Sequence, residues 1–160
     1  MEQAAGTRTS ARRSGTDRLP PQELAEALAD LARQLQREVG TEETLQKAVA
    51  SAIAVIPGAR EGSISMVVAR SRVESRAALG DLPRTLDDLQ STLGEGPCLD
   101  AAFEAEVVDV PDLATETRWP TFARRAVAAG AGSMLCLRLY VSGSDLGAMN
   151  LYSPQARAFT

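Results

Sequence analysis

Apolar residues recur at helical spacing over the first third of this chain and alternate with polar ones from Gly62 onward. That change of period confines the fold to helices packed on a sheet. Pro20-Pro21 suits the first turn of a helix, where a missing N–H costs nothing. Leu24, Leu28, Leu31 and Leu35 follow at spacings of 4, 3 and 4, which predicts an apolar seam along a helix over residues 22–39. Gly40 is placed to cap it and Thr41 to begin a second helix over residues 41–56, striped by Leu45, Val49, Ile53 and Ile56. The leucine seam has two readings that do not exclude each other: packing inside the molecule, or a homodimer interface. Ahead of it, residues 1–19 carry Arg8, Arg12, Arg13 and Arg18 with almost no large apolar side chain, so a disordered basic arm is expected.

Residues 63–69 and 73–79 read as strands joined by a tight turn at 70–72. Leu86, Leu89 and Leu93 mark one face of a short helix, and residues 98–105 another. A short strand at 107–110 ends at Pro111, a helix runs from Trp119 to Gly130, and strands 133–141 and 146–152 flank a turn at 142–145. The order is α-α-β-β-α-α-β-α-β-β. Strands joined by hairpins at both ends, with helices between, imply an antiparallel sheet in an α+β fold. At 160 residues, one globular domain over 20–160 is expected.

Alternation along the 133–141 strand separates two faces. One carries Leu135, Leu137, Leu139 and Val141 and should lie on the leucine-striped helices. The other carries Met134, Cys136, Arg138 and Tyr140, a mixture unlike a dry core. In the following strand Gly147, Met149 and Leu151 alternate with Ala148, Asn150 and Tyr152. Where the mixed faces coincide, the sheet can line a small cavity with a few polar handles, as ligand pockets do. The alternative is that Arg138 and Asn150 face solvent or satisfy loop carbonyls.

Missing residue types exclude much chemistry. The chain has no histidine, which removes Ser-His-Asp and Cys-His nucleophiles, histidine-ligated haem and most zinc geometries. Cys98 and Cys136 form no CxxC pair, and Gly94-Glu95-Gly96 runs into Pro97 rather than toward a dinucleotide fingerprint. No metal site is expected. A formal net charge of -4 does not recruit nucleic acid or an anionic membrane, and no apolar run approaches the roughly 18 residues that span a bilayer. A soluble, cytoplasmic, non-catalytic binding domain is the expectation.

The double N-terminal helix, Leu93-Gly94-Glu95-Gly96-Pro97-Cys98, Val108-Asp109-Val110-Pro111-Asp112, Arg118-Trp119-Pro120 and Gly147-Ala148-Met149-Asn150-Leu151-Tyr152 together resemble a GAF domain. More narrowly they resemble the sensor that precedes an ANTAR RNA-binding module in actinobacterial antitermination regulators. The resemblance implies a sheet of about six antiparallel strands with a helical bundle on one face. Loops and short helices on the other face would form a sensory pocket, and the terminal helices would dimerise. It also places the RNA-binding module after residue 160, so this segment is not expected to bind nucleic acid itself. Haem and histidine-dependent bilins do not suit a chain without histidine, and the cofactor stays unknown. The expected function is a signal-transduction sensor in transcription regulation. It would bind a small molecule or relay a signal through a helical homodimer.

The candidate ligand-binding residues are Met134, Cys136, Arg138, Tyr140, Asn150, Trp119, Phe122 and Cys98; Leu24, Leu28, Leu31 and Leu35 are the candidate dimer interface. Trp119 is either an aromatic wall or a hydrophobic plug, and Phe122 shares its fate. Cys98 follows Pro97 at a helix start, where the macrodipole lowers a thiol pKa; otherwise it is a small buried apolar residue. Arg138 is expected to bridge to Asp100 or Asp109, or else to meet an acidic ligand. Two further functions stay open: a ligand-free dimerisation scaffold, and a thiol redox sensor or an enzyme like methionine sulfoxide reductase.

Overall fold

The computed structural model describes residues 21–37, 42–142 and 145–159. The arm at 1–19, Gly40, Thr41 and the tip of the 142–145 turn lie outside them, as do the side chains of Leu31, Leu35 and Val141. Two helices, α1 (Pro21–Arg37) and α2 (Glu42–Val55), precede the hairpin β1 (Glu61–Val68) and β2 (Arg72–Leu79). Then come α3 (Leu82–Leu93), α4 (Pro97–Phe103), β3 (Val107–Val110), α5 (Pro120–Ala128), β4 (Ser133–Ser142) and β5 (Asp145–Ser153). The element order is the one the periodicity predicts.

The strands form one antiparallel sheet ordered β2-β1-β5-β4-β3. Among the described residues it has five strands, the number the alternation counts and close to the six or so that the resemblance implies. Between β3 and β4 the chain is used otherwise. Pro111 closes β3, Asp112 Oδ1 accepts the Ala114 N–H at 2.9 Å in a turn, and Pro120 opens α5. The β1–β2 turn sits slightly earlier than predicted, with Ala69 and Arg70 both left-handed at φ 51° and 61°. Two such residues match the turn to the right-handed twist of the strands.

Each face of the sheet is covered. On one side Leu135, Leu137, Leu139, Met149, Leu151 and Ile64 pack against Ala25 and Leu28 of α1 and Val49 and Ala52 of α2. The fully apolar face of β4 thus docks the N-terminal helices as predicted. Leu24 also packs into this layer, so the first half of the leucine seam is committed within the molecule. On the other side lie α3, α4 and α5, which pack Leu86, Trp119 and Phe122 over Met134, Cys136 and Tyr152. Cys98, Leu99 and Ala102 cover Val67, Val73 and Ala148. The mixed face is therefore roofed by short helices.

Candidate functional site

The roofed face carries a buried polar cluster where β1, β2 and β5 meet α3. Antiparallel register sets Ser63 opposite Asn150 and Asn150 opposite Cys136, so these three residues share a face. Ser65, two residues on, shares it too. A bulge in the β1–β2 ladder between Ile64 and Ser65 brings Ser75 opposite Ser65 while Ala77 opposes Ile64. The extra residue, Arg76, shifts the alternation of β2: Val73 and Ser75 face the roof, Ala77 and Leu79 the N-terminal helices. Both serine hydroxyls then reach the carboxylate of Asp87 on α3. Ser65 Oγ donates to Asp87 Oδ2 at 2.5 Å, and Ser75 Oγ donates to the same oxygen.

Asp87 is 1% exposed. Burial pushes its pKa up to about 6, against the two serine hydrogen bonds, while neighbouring Asp88 raises it further. Around it the orientation of each amide is forced. The Ser65 hydroxyl spends its proton on Asp87, so toward Asn150 it can only accept, and Asn150 Nδ2 donates to Ser63 Oγ and Ser65 Oγ at 3.3 Å each. Gln90, one turn after Asp87, uses its Oε1 to accept the Cys98 N–H at 2.8 Å. Among the described residues, four buried side-chain atoms complete no hydrogen bond: Asp87 Oδ1, Gln90 Nε2, Asn150 Oδ1 and Tyr152 Oη. The Tyr152 hydroxyl lies close enough to act on Asp87 without completing a hydrogen bond.

The glycine-rich turn serves this cluster. Gly94 caps α3 in the left-handed conformation and donates its N–H to Gln90 O at 2.8 Å. Gly96 has φ 143°, and a Cβ there would stand 2.3 Å from Gln90 Oε1. Only glycine lets α4 begin directly against the Gln90 side chain. Glu95 Oε1 accepts the Phe122 N–H at 3.1 Å, which ties the turn to the start of α5.

The predicted site residues divide into three groups. Asn150 belongs to the polar cluster, and Cys98 and Cys136 border it. Met134, Trp119 and Phe122 form a tight apolar plug, with Trp119 Nε1 donating to Asp100 Oδ2 at 3.1 Å and Arg118 stacked 4.4 Å above its ring. Arg138 and Tyr140 stand apart at the sheet edge, beside a shallow cleft of about 80 Å³ against α1. Arg138 makes neither predicted bridge: its Nε donates to Ala101 O at 3.0 Å and its Nη1 to Tyr140 Oη at 3.4 Å. The Asp100 carboxylate is already engaged by Trp119, while Arg118 Nη2 donates to Asp109 O at 2.8 Å.

Of the two readings of Cys98, the structure has the small buried residue. Cys98 does start a helix, but burial, reinforced by the field of Asp87, holds its pKa far above the ordinary thiol value. Burial raises Cys136 in the same way. Desolvation of a fully enclosed thiolate outweighs the dipole of a seven-residue helix. The residues the sequence reading missed are Asp87, Gln90, Ser63, Ser65, Ser75 and Tyr152. Ser63 and Ser65 alternating with Ile64 in a strand was the available signal.

A family profile described as GAF domain matches residues 19–160. Among solved structures, a putative GAF sensor protein from Burkholderia vietnamiensis is 17% identical with a TM-score of 0.56, covering 89% of this chain and 85% of that one. A free methionine-R-sulfoxide reductase from Neisseria meningitidis, in complex with its substrate, is 16% identical with a TM-score of 0.57, over 88% and 77%. The phycocyanobilin-bound GAF domain of a cyanobacterial phytochrome is 13% identical with a TM-score of 0.54, over 89% and 84%. At these identities the likeness is one of fold. No curated protein matches.

Proposed function

The chain belongs to the GAF domain family, and from that premise we propose that it is a small-molecule sensor whose chamber is the polar cluster between the sheet and α3–α4. GAF domains are signalling and sensor domains that bind small molecules. What carries the assignment to this chamber is the group of four unpartnered polar atoms, all buried on one side of one sheet. An orphaned buried polar group costs about 1–3 kcal/mol, and such groups are rare in native interiors. Their gathering in one cluster is what supports a ligand site there.

The same sheet offers an output. Cys136 and Asn150 border the chamber, while Leu135, Leu137 and Leu151, their neighbours in β4 and β5, pack on the other face with Leu28 of α1. A guest with different affinities for two poses of α1 would shift their populations. The proposed output is a homodimer through the N-terminal helices, read by a transcription regulator in the cytoplasm. The motif resemblance to antitermination sensors supports that setting. Native mass spectrometry together with a thermal-shift screen of small metabolites tests it. Dimer plus a saturable stabiliser is the expected result; monomer with no stabiliser overturns it.

A second reading, thiol chemistry, is favoured by the two cysteines beside one chamber and by the reductase among the fold neighbours. Their burial and raised pKa values weigh against it. Thiol titration of the native protein separates the two.

A further inference from the structure

The end of the β1–β2 hairpin is fastened differently from the rest of the sheet. β1 pairs with β5 as far as Met66 opposite Gly147, while its pairing with β2 continues to Val68 opposite Arg72. Among the described residues, the segment from Val67 to Val73 is therefore a two-stranded end. Such a pair is marginal in water unless something packs on it. Its turn adds to the weakness, because Ala69 and Arg70 both hold a left-handed backbone without being glycine.

What packs on it is small. Val67 and Val73 meet Cys98, Leu99 and Ala102 of α4 and Ala148 of β5 in a satellite cluster, separate from the two larger cores, with Phe103 at its margin. Among the described residues no hydrogen bond or ion pair joins the hairpin end to α4. Two side-chain fastenings close it instead. The exposed Arg70 guanidinium lies 4.5 Å over the half-buried Phe103 ring, a cation–π contact. On the outer edge of β2, Ser91 of α3 clasps Val73: its Oγ accepts the Val73 N–H at 2.7 Å and donates to Val73 O at 3.1 Å.

We infer that residues 67–73 form a flap that swings away from α4 as a unit, latched by Arg70 on Phe103 and by Ser91 on Val73, and that its opening brings solvent to Cys98. Segments with few buried contacts open in this way while the rest of a protein stays folded. An open flap bares Val67, Val73, Leu99 and Ala102 together with the thiol. Cys136 supplies the contrast, since it sits in β4 between β3 and β5 and belongs to the larger cluster of Trp119 and Phe122. The flap does not depend on whether a ligand binds beneath α3.

The experiment follows iodoacetamide labelling of each cysteine in the full chain, by peptide mass spectrometry, at pH 8 in urea below the unfolding transition. Cys98 of wild type should label ahead of Cys136. Arg70→Ala and Phe103→Leu should each raise the Cys98 rate roughly two- to fivefold. Ser91→Ala, which removes two hydrogen bonds, should raise it roughly five- to tenfold. The Cys136 rate should stay the same in all three, and Arg70→Lys, which keeps a cation over the ring, should label as wild type does. Three independent substitutions guard against one that fails to fold. Labelling of both cysteines at one shared rate in every variant overturns the flap in favour of global unfolding. A Cys98 rate indifferent to Arg70, Phe103 and Ser91 overturns the latches and the inference with them, and Arg70→Lys labelling as fast as Arg70→Ala overturns the cation–π latch.

Discussion

Asp87 has the environment with the clearest consequence for pH. Its carboxyl is pushed up to about 6 in the folded protein, from 3.8 for a free side chain. The folded state therefore holds the Asp87 proton more tightly than the unfolded chain. Its contribution favours folding fully below about pH 4, is lost as pH rises through about 6, and is flat above. The span is about 3 kcal/mol. Urea denaturation at pH 4, 5, 6 and 7 should show wild type losing stability relative to Asp87→Asn over that window. Equal slopes for the two proteins would refute the burial of Asp87. Gly96 is the second diagnostic residue. Gly96→Ala sets a methyl against Gln90 at a positive φ and should lower stability by about 2 kcal/mol, read from the shift in urea midpoint.

At the scale of the element, α1 and α3 illustrate what a pattern reveals and conceals. The strands were legible because Leu135, Leu137 and Leu139 alternate strictly with Met134, Cys136 and Arg138, and one register places every leucine on one side. The N-terminal helices were legible by spacing, and Leu28 is as buried as that spacing predicts. Leu28→Ala should therefore cost about 3 kcal/mol of folding stability, whereas Val55→Ala, on an exposed face of α2, should cost less than about 0.5. Denaturant midpoints of the two variants decide it. In α3 the pattern misleads. Leu86, Leu89 and Leu93 suggest the buried stripe, yet the stripe runs through Pro83, Leu86, Asp87 and Gln90. An aspartate and a glutamine at core positions contradict the binary pattern, which a reading from apolar spacing alone cannot anticipate. Nor does alternation reveal the bulge at Arg76, since an inserted residue leaves the local composition unchanged.

Across the whole molecule the sheet separates two kinds of interior. Aliphatic side chains bind it to α1 and α2; serine, aspartate, asparagine and tyrosine occupy the far side beneath α3 and α4. Both cysteines lie in that far layer with no exposed surface, so their reactivity reports opening of the layer. A thiol reagent should modify neither in the native state and both in concentrated urea, at a rate that tracks stability across the variants above. Rapid labelling of native Cys98 would favour the thiol reading instead.

A high-resolution crystal structure of the protein as purified, at neutral pH, tests the central claim most directly. Non-protein density within hydrogen-bond distance of Asp87 Oδ1, Gln90 Nε2 and Asn150 Oδ1 is the predicted result. Finding those atoms bonded to one another, or sealed dry beneath apolar side chains, would contradict it.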